Sequence, residues 1–196
     1  MVIDLPNLPT GLWLRLILLL YKAKWVVYPL MRFFGSNARM SWGELTFATR
    51  VLVPQISSFN PDVVVGVGIG GTIFGAILAG NLDDKPLVAL DRVVTWAANR
   101  RESSLVDRHD GPERQALFSG KRILLVHAEI VSGKTTERVL DYLKEFDPTE
   151  IRIACTDHSP ASSVRPNYSY MRASGIIQKP WRITQTYRSP DDGRRW

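Results

Sequence analysis

KRILLVHAEIVSGKTT, running from Lys121 to Thr136, is an apolar run that breaks into a small-residue turn rich in phosphate-binding groups. Ile123–Val126 reads as a buried parallel strand, and Thr135–Phe146 as the helix that follows it. Between them, Ser132-Gly133-Lys134-Thr135-Thr136 would expose backbone N–H groups at the positive end of that helix, beside hydroxyls and an ammonium. This is an anion site. The mononucleotide P-loop also closes on Gly-Lys-Thr, but it requires a glycine five positions before Gly133, where Ala128 stands, and a longer loop around two phosphates. Along the helix, Val139, Tyr142, Leu143 and Phe146 form one apolar stripe, with Glu137 and Asp141 opposite and Pro148 barring continuation.

A second glycine cluster lies upstream, in PDVVVGVGIGGTIFGAILAG from Pro61 to Gly80. Val63–Val65 reads as a strand, Gly66–Gly71 as a turn and Ile73–Gly80 as the start of an apolar helix. Gly66, Gly68 and Gly71 match G-x-G-x-x-G, and Asp91 ends the next strand, Leu87–Leu90, where a dinucleotide fold would hold a ribose. An NAD-binding Rossmann domain is therefore one reading, although it gives the second anion loop no task.

Two strand-to-helix phosphate loops in one small α/β domain suit a substrate phosphorylated at both ends. Their order resembles the type I phosphoribosyltransferases, with Ile123–Thr136 as the 5′-phosphate loop and Val63–Ala76 as the pyrophosphate loop. Both flanks extend the resemblance toward the xanthine/guanine (purine) enzymes. Ser41-Trp42-Gly43-Glu44 and Pro61–Gly66 are similar to their start, and Ile151–Cys155, Ser159-Pro160, Pro166-Asn167-Tyr168 and Trp181-Arg182-Ile183 to their end.

The resemblance implies an α/β fold: a mostly parallel twisted sheet flanked by helices with a small hood, here with an extra N-terminal helix. It implies an extension over residues 1–40, a phosphoribosyltransferase-like domain over 41–187 with a flexible cover at 92–120, and a basic tail at 188–196. By the same resemblance, Ser132, Gly133, Lys134, Thr135 and Thr136 would hold the 5′-phosphate of phosphoribosyl pyrophosphate (PRPP). Ile69, Gly70 and Gly71 would meet pyrophosphate, and Ser159, Trp181 and Ile183 the base. Arg100, Arg101 and Arg108 would be pyrophosphate contacts from the cover.

Several positions depart from the family pattern. The acid pair that grips the ribose, often with Mg2+, falls on His127 and Ala128, leaving Glu129 as the acid and metal candidate and His127 as a donor to ribose or phosphate. Side-chain alternation puts Glu129 and His127 on one face of the strand. Val131 replaces a carboxylate beside the purine ring, Ile69 a basic residue, and Ser159 or His158 a lysine that reads the base. The expected function is accordingly a purine-type transferase using Mg2+ when active. Its alternative is a nucleotide-sensing or effector subunit that keeps the phosphate loop without the catalytic acids.

The chain's 196 residues, 45% of them hydrophobic, suffice for one globular core. Cys155 is the single cysteine and reads as a buried reduced thiol, consistent with a cytoplasmic protein. His109, His127 and His158 are too dispersed for a metal cluster. The net charge of +6 would attract a polyphosphate, nucleic acid or an anionic membrane, but no nucleic-acid motif accompanies it. Gly11–Phe34 has an apolar run, Leu16–Tyr21, that is short of the roughly 20 residues a membrane span needs, and Arg15, Lys22, Lys24 and Arg32 interrupt the rest. It reads as a helix for a protein partner, a second copy or the chain's own sheet, with peripheral membrane contact as the competing role.

Overall fold

A computed structural model describes residues 39–97, 100–106, 112–175 and 177–182; for 91–97, 100–106, 112 and 113 only the backbone is considered. Apart from Arg39, all of these belong to one compact unit, Met40–Trp196. The proposed N-terminal helix, the basic tail, Arg108 and Ile183 lie outside the described residues.

Helix α1 spans Trp42–Ser57 and starts at a capping box: the Ser41 side chain accepts a hydrogen bond from the Glu44 backbone N–H at 3.1 Å, with Glu44 itself in the first turn. Its buried residues, Leu45, Ala48, Thr49, Leu52 and Ile56, recur at intervals of three and four. Strand β1 (Val63–Val67) is buried throughout and leads directly into α2 (Gly68–Gly80). The expected Gly66–Gly71 turn is thus mostly structured: Gly66 belongs to the strand, and Gly70 and Gly71 to the first turn of the helix.

Strands β2 (Leu87–Ala97) and β3 (Arg100–Val106) pair as an antiparallel hairpin, and α3 (Pro112–Phe118) precedes β4 (Arg122–Ile130). Much of the segment expected as a flexible cover is therefore regular structure. Helix α4 (Lys134–Lys144) is followed by β5 (Glu150–His158) and β6 (Tyr168–Arg172). β4 runs past the four-residue strand expected from hydrophobicity, because His127–Ile130 continue to pair with β5 although polar side chains interrupt the apolar run.

The sheet order is β3-β2-β1-β4-β5-β6, with every neighbouring pair parallel except β2–β3. One face packs Val63, Val65, Ile123, Leu125, Ile153 and Cys155 against Val139 and Leu143 of α4 and Phe118 of α3. On the other, a Cβ added to Gly75 of α2 would touch Val64 at 3.5 Å, so the glycine lets that helix lie close to the sheet. α1 covers the β6 end, where Phe47 meets Tyr170 edge-on at 6.1 Å. Burial pushes the Cys155 thiol well above its ordinary pKa, with the Asp157 carboxylate acting in the same sense, so the thiol stays protonated. Among the described residues, no helix is long and apolar enough to cross a membrane.

At the amino-terminal edge of the sheet, Asp62 accepts a hydrogen bond from the Arg122 backbone N–H at 2.8 Å and pairs with its guanidinium at 3.3 Å. These bonds hold the Asp62 carboxyl below its usual pKa. A depressed carboxylate stabilises the fold above its unfolded pKa of about 3.9, and that contribution disappears as pH falls through the lower folded value. Both side chains are over a third exposed, so solvent screening limits the pair to below about 1 kcal/mol. We therefore expect Asp62→Asn to melt slightly below the parent at neutral pH and the two curves to converge as pH falls through the carboxyl's lowered folded pKa. A gap that widened on acidification would contradict this assignment.

Candidate functional site

Chain order places a switch point between β1 and β4: after β1 the chain adds β2 on one side, then returns to lay β4 on the other. In open parallel sheets the crevice at such a point, beyond the strands' carboxyl ends, is where ligands bind. Both glycine loops open here. α2 starts from Val67 and α4 from Gly133, and neither N-cap has a side-chain hydrogen bond. Two helix ends whose N-cap residues supply no side-chain acceptor therefore flank one crevice, each carrying the partial positive charge of its dipole.

Glycine is needed at both ends for steric reasons. A Cβ on Gly71 would lie 2.4 Å from the Val126 carbonyl oxygen of β4, and one on Gly70 would lie 2.8 Å from the Ala128 Cβ. Gly133 has φ +86°, a left-handed value that turns β4 into α4. Its α-carbon is also hemmed in: a Cβ there would lie 2.5 Å from Ser163 Oγ and 2.9 Å from both Ser162 Oγ and Val164 N.

Ser162 and Ser163 form a wall that sequence reading did not identify. The Ser163 hydroxyl and backbone N–H both donate to the Ser132 carbonyl, at 3.0 and 3.2 Å, bracing the loop from the β5 side. Within that loop Ser132 and Lys134 are exposed, Thr135 is half-buried and Thr136 is buried in the first turn of α4. Ser159 lies at the end of β5, its N–H donating to the Ile130 carbonyl at 2.8 Å and its hydroxyl accepting from Ala161 N at 3.2 Å.

The faces of β4 divide the remaining candidates. His127 and Glu129 alternate with Ile123 and Leu125 toward the α4 side, where His127 is buried. Ala128 points the opposite way, to Gly70. Trp181 closes over the same spot: its Cζ2 and Nε1 are 3.2 and 3.4 Å from where a Gly70 Cβ would be. Trp181 lies in a turn, in a segment tied down where Met40 N donates to the Gln178 carbonyl at 2.8 Å. The tips of the two loops, Ile69 and Val131, are exposed.

Behind Ala128 is a buried polar cluster that was also not anticipated. Lys179 forms an ion pair with Asp157, both side chains at most 5% exposed, and donates to Thr156 Oγ1 at 2.7 Å. The Thr156 hydroxyl bonds in turn to the Ala128 carbonyl. Lys179 and Asp157 are separated by 22 residues in sequence, and each alone reads as an ordinary surface charge. At the next position, burial and then the Arg172 guanidinium push the His158 imidazole below its usual pKa, so it is neutral at pH 7.

Residues 47–189 match the family model of the phosphoribosyl transferase domain. The chain belongs to the phosphoribosyltransferase family. No curated protein matches the sequence. Among solved structures, this phosphoribosyltransferase domain is similar to a purine phosphoribosyltransferase from Pyrococcus horikoshii Ot3, at 27% identity and TM-score 0.68, over 78% of this chain and 98% of that one. It is also similar to the Helicobacter pylori xanthine-guanine-hypoxanthine phosphoribosyltransferase, at 16% identity and TM-score 0.65, over 75% and 94% of the two chains. A hypothetical protein from Neisseria gonorrhoeae with bound ppGpp matches at 18% identity and TM-score 0.63, over 76% and 90%. The type I phosphoribosyltransferase fold expected from the sequence is therefore the fold found, and the glycine cluster read as a dinucleotide fingerprint belongs to a phosphoribosyltransferase loop.

Phosphoribosyltransferases generally use Mg2+ with PRPP. Among the described residues no group of three His, Cys, Asp or Glu could hold a metal ion. Glu129, at the carboxyl end of β4, is in register with Asp157, whose carboxylate is engaged by Lys179. Mg2+ is usually bound by one or two carboxylates together with substrate phosphates, so a single carboxylate at this strand end is chemically sufficient. Glu129 is the residue that would hold it, and the ion would offset the charge of a departing pyrophosphate.

Proposed function

We propose that this phosphoribosyltransferase domain binds PRPP or a purine nucleotide in the crevice between β1 and β4. The observation that carries the reading is the pair of uncapped helix N-termini, α2 and α4, opening on one switch point. The amides of Ser132–Thr136 would take the 5′-phosphate, with Lys134 adding charge, and the first turn of α2 at Ile69, Gly70 and Gly71 the pyrophosphate. Trp181 would pack on the base beside Ser159. Glu129 would bind the ribose and Mg2+, and His127 would donate from the same face of β4. The reaction is attack of a purine nitrogen on C1 of the ribose as pyrophosphate departs.

A second reading, a nucleotide-sensing or effector subunit, is favoured by Ala128. Its Cβ lies close to Gly70, so where the family's acid would reach the crevice this chain offers only a methyl group. Loss of one electrostatic contact in an enclosed site slows chemistry by about 3 to 4 kcal/mol, whereas binding through the phosphate loops survives. A relative of this fold with bound ppGpp supports the same reading. A protein partner or second copy joined through residues 1–40 and a cytoplasmic setting complete either proposal.

Calorimetry with ribose 5-phosphate, PRPP and a purine mononucleotide, followed by a turnover assay with PRPP, Mg2+ and a panel of purines, tests both. Binding with nucleotide product above background supports the transferase; binding without product supports the sensor. Thr135→Ala should weaken ribose 5-phosphate by roughly ten- to a hundredfold, the value of one hydrogen bond to a charged group. Absence of any binding in the parent protein would refute the assignment of the crevice.

A further inference from the structure

We propose that Trp42 is a base-recognition residue, forming the outer wall of an aromatic corner whose inner wall is Trp181; this rests on the nucleotide-binding reading above. The helical stripe Leu45, Thr49, Leu52 and Ile56 that α1 buries extends backward, at the same spacing of three, to Trp42. Trp42 nevertheless remains 53% exposed. It belongs to the core-facing side of its helix but projects beyond the core.

The chain's course shows what it projects toward. α1 ends beside the start of β1, where Asn60 N donates to the Ile56 carbonyl and β1 follows at Val63. The helix therefore runs back along the sheet, and its first residue is at the carboxyl edge, over the crevice. Two contacts fix it there. Met40 N donates to the Gln178 carbonyl at 2.8 Å, tying the start of α1 to the segment that carries Trp181. The two indoles approach to 6.3 Å between centroids at an interplanar angle of 57°.

Trp181 is covered from below by Gly70 and is half-buried. Trp42, against Trp181, and Ile69, next to Gly70 in the chain, both carry exposed apolar surface. A tilted aromatic pair with one exposed ring, next to an anion-binding helix end, is complementary to a ligand with a planar base at one end and phosphate at the other. Ser159, or His158, stands where the family resemblance would put a lysine. Stacking on this corner, which tolerates any planar base, would then carry recognition that hydrogen bonding does not.

The test uses the full chain. Affinities for GMP and for ribose 5-phosphate are measured by calorimetry in the parent, Trp42→Ala and Trp42→Phe, with thermal melting as a check on folding. Loss of one stacking partner should weaken GMP about tenfold in Trp42→Ala, leave ribose 5-phosphate within about twofold, and be largely restored in Trp42→Phe. Unchanged GMP affinity in Trp42→Ala would overturn the proposal, as would equal weakening of both ligands, which marks a structural role for the helix end. A parent chain that binds neither ligand would overturn the nucleotide-site reading and this inference with it.

Discussion

Lys179→Met should lower the free energy of unfolding by about 3 to 5 kcal/mol, the usual result of stranding one member of a buried ion pair. The replacement leaves Asp157, 5% exposed, without its cation, and removes a donor from Thr156. For a protein of this size the thermal midpoint should fall by roughly 6 to 20 °C. The pair also joins three elements of the crevice wall. Asp157 and Thr156 end β5, Thr156 bonds the Ala128 carbonyl of β4, and Lys179 precedes Trp181 by two residues. A destabilised variant should therefore also lose nucleotide affinity. The control is the double replacement Lys179→Met with Asp157→Leu, which exchanges charge for apolar volume and should recover most of the stability. If the single variant melts with the parent, the cluster does not hold the wall.

The second large effect is expected at Gly133. An alanine there must adopt φ near +86°, which costs an L-residue about 1 to 2 kcal/mol. Its methyl group would also press on Ser163 Oγ at 2.5 Å and Val164 N at 2.9 Å. A hydroxyl can rotate away, but a backbone nitrogen cannot. The loop must shift, taking the amides of Ser132–Thr136 out of line, and ribose 5-phosphate affinity should fall ten- to a hundredfold. Adding Ser163→Gly should relieve part of the crowding, leave the φ penalty and recover part of the affinity. Unaltered binding in Gly133→Ala, measured by calorimetry, would remove this loop from the phosphate site.

Much of the fold could be read from local pattern. Both β1 and the apolar half of β4 are runs of Val, Ile and Leu because parallel strands at the centre of a sheet are buried on both faces. The α4 stripe and the glycine turns follow from equally local rules. Their order along the chain was enough to point to the family, since two glycine loops at one switch point is a topological property that sequence order preserves.

What sequence did not reveal depends on distant pairing. Lys179 and Asp157 are individually unremarkable charges, and only the return of the chain after β6 brings them together. Ser162 and Ser163 read as loop residues because nothing local says that their hydroxyls face Gly133. The helical start at Gly68 was missed because glycine disfavours helix; here close packing on Val126 and Ala128 outweighs that propensity. Ser41–Glu44 was noticed only as a family resemblance, although as a capping box it fixes the start of α1 and so the position of Trp42.

The contact between Gly71 and the Val126 carbonyl leaves the first turn of α2 no clearance to slide along β4. That side of the cleft is a fixed jaw. On the opposite jaw two rotatable serine hydroxyls share the fit around Gly133 with the Val164 backbone nitrogen, so that side has more room to adjust to an arriving ligand.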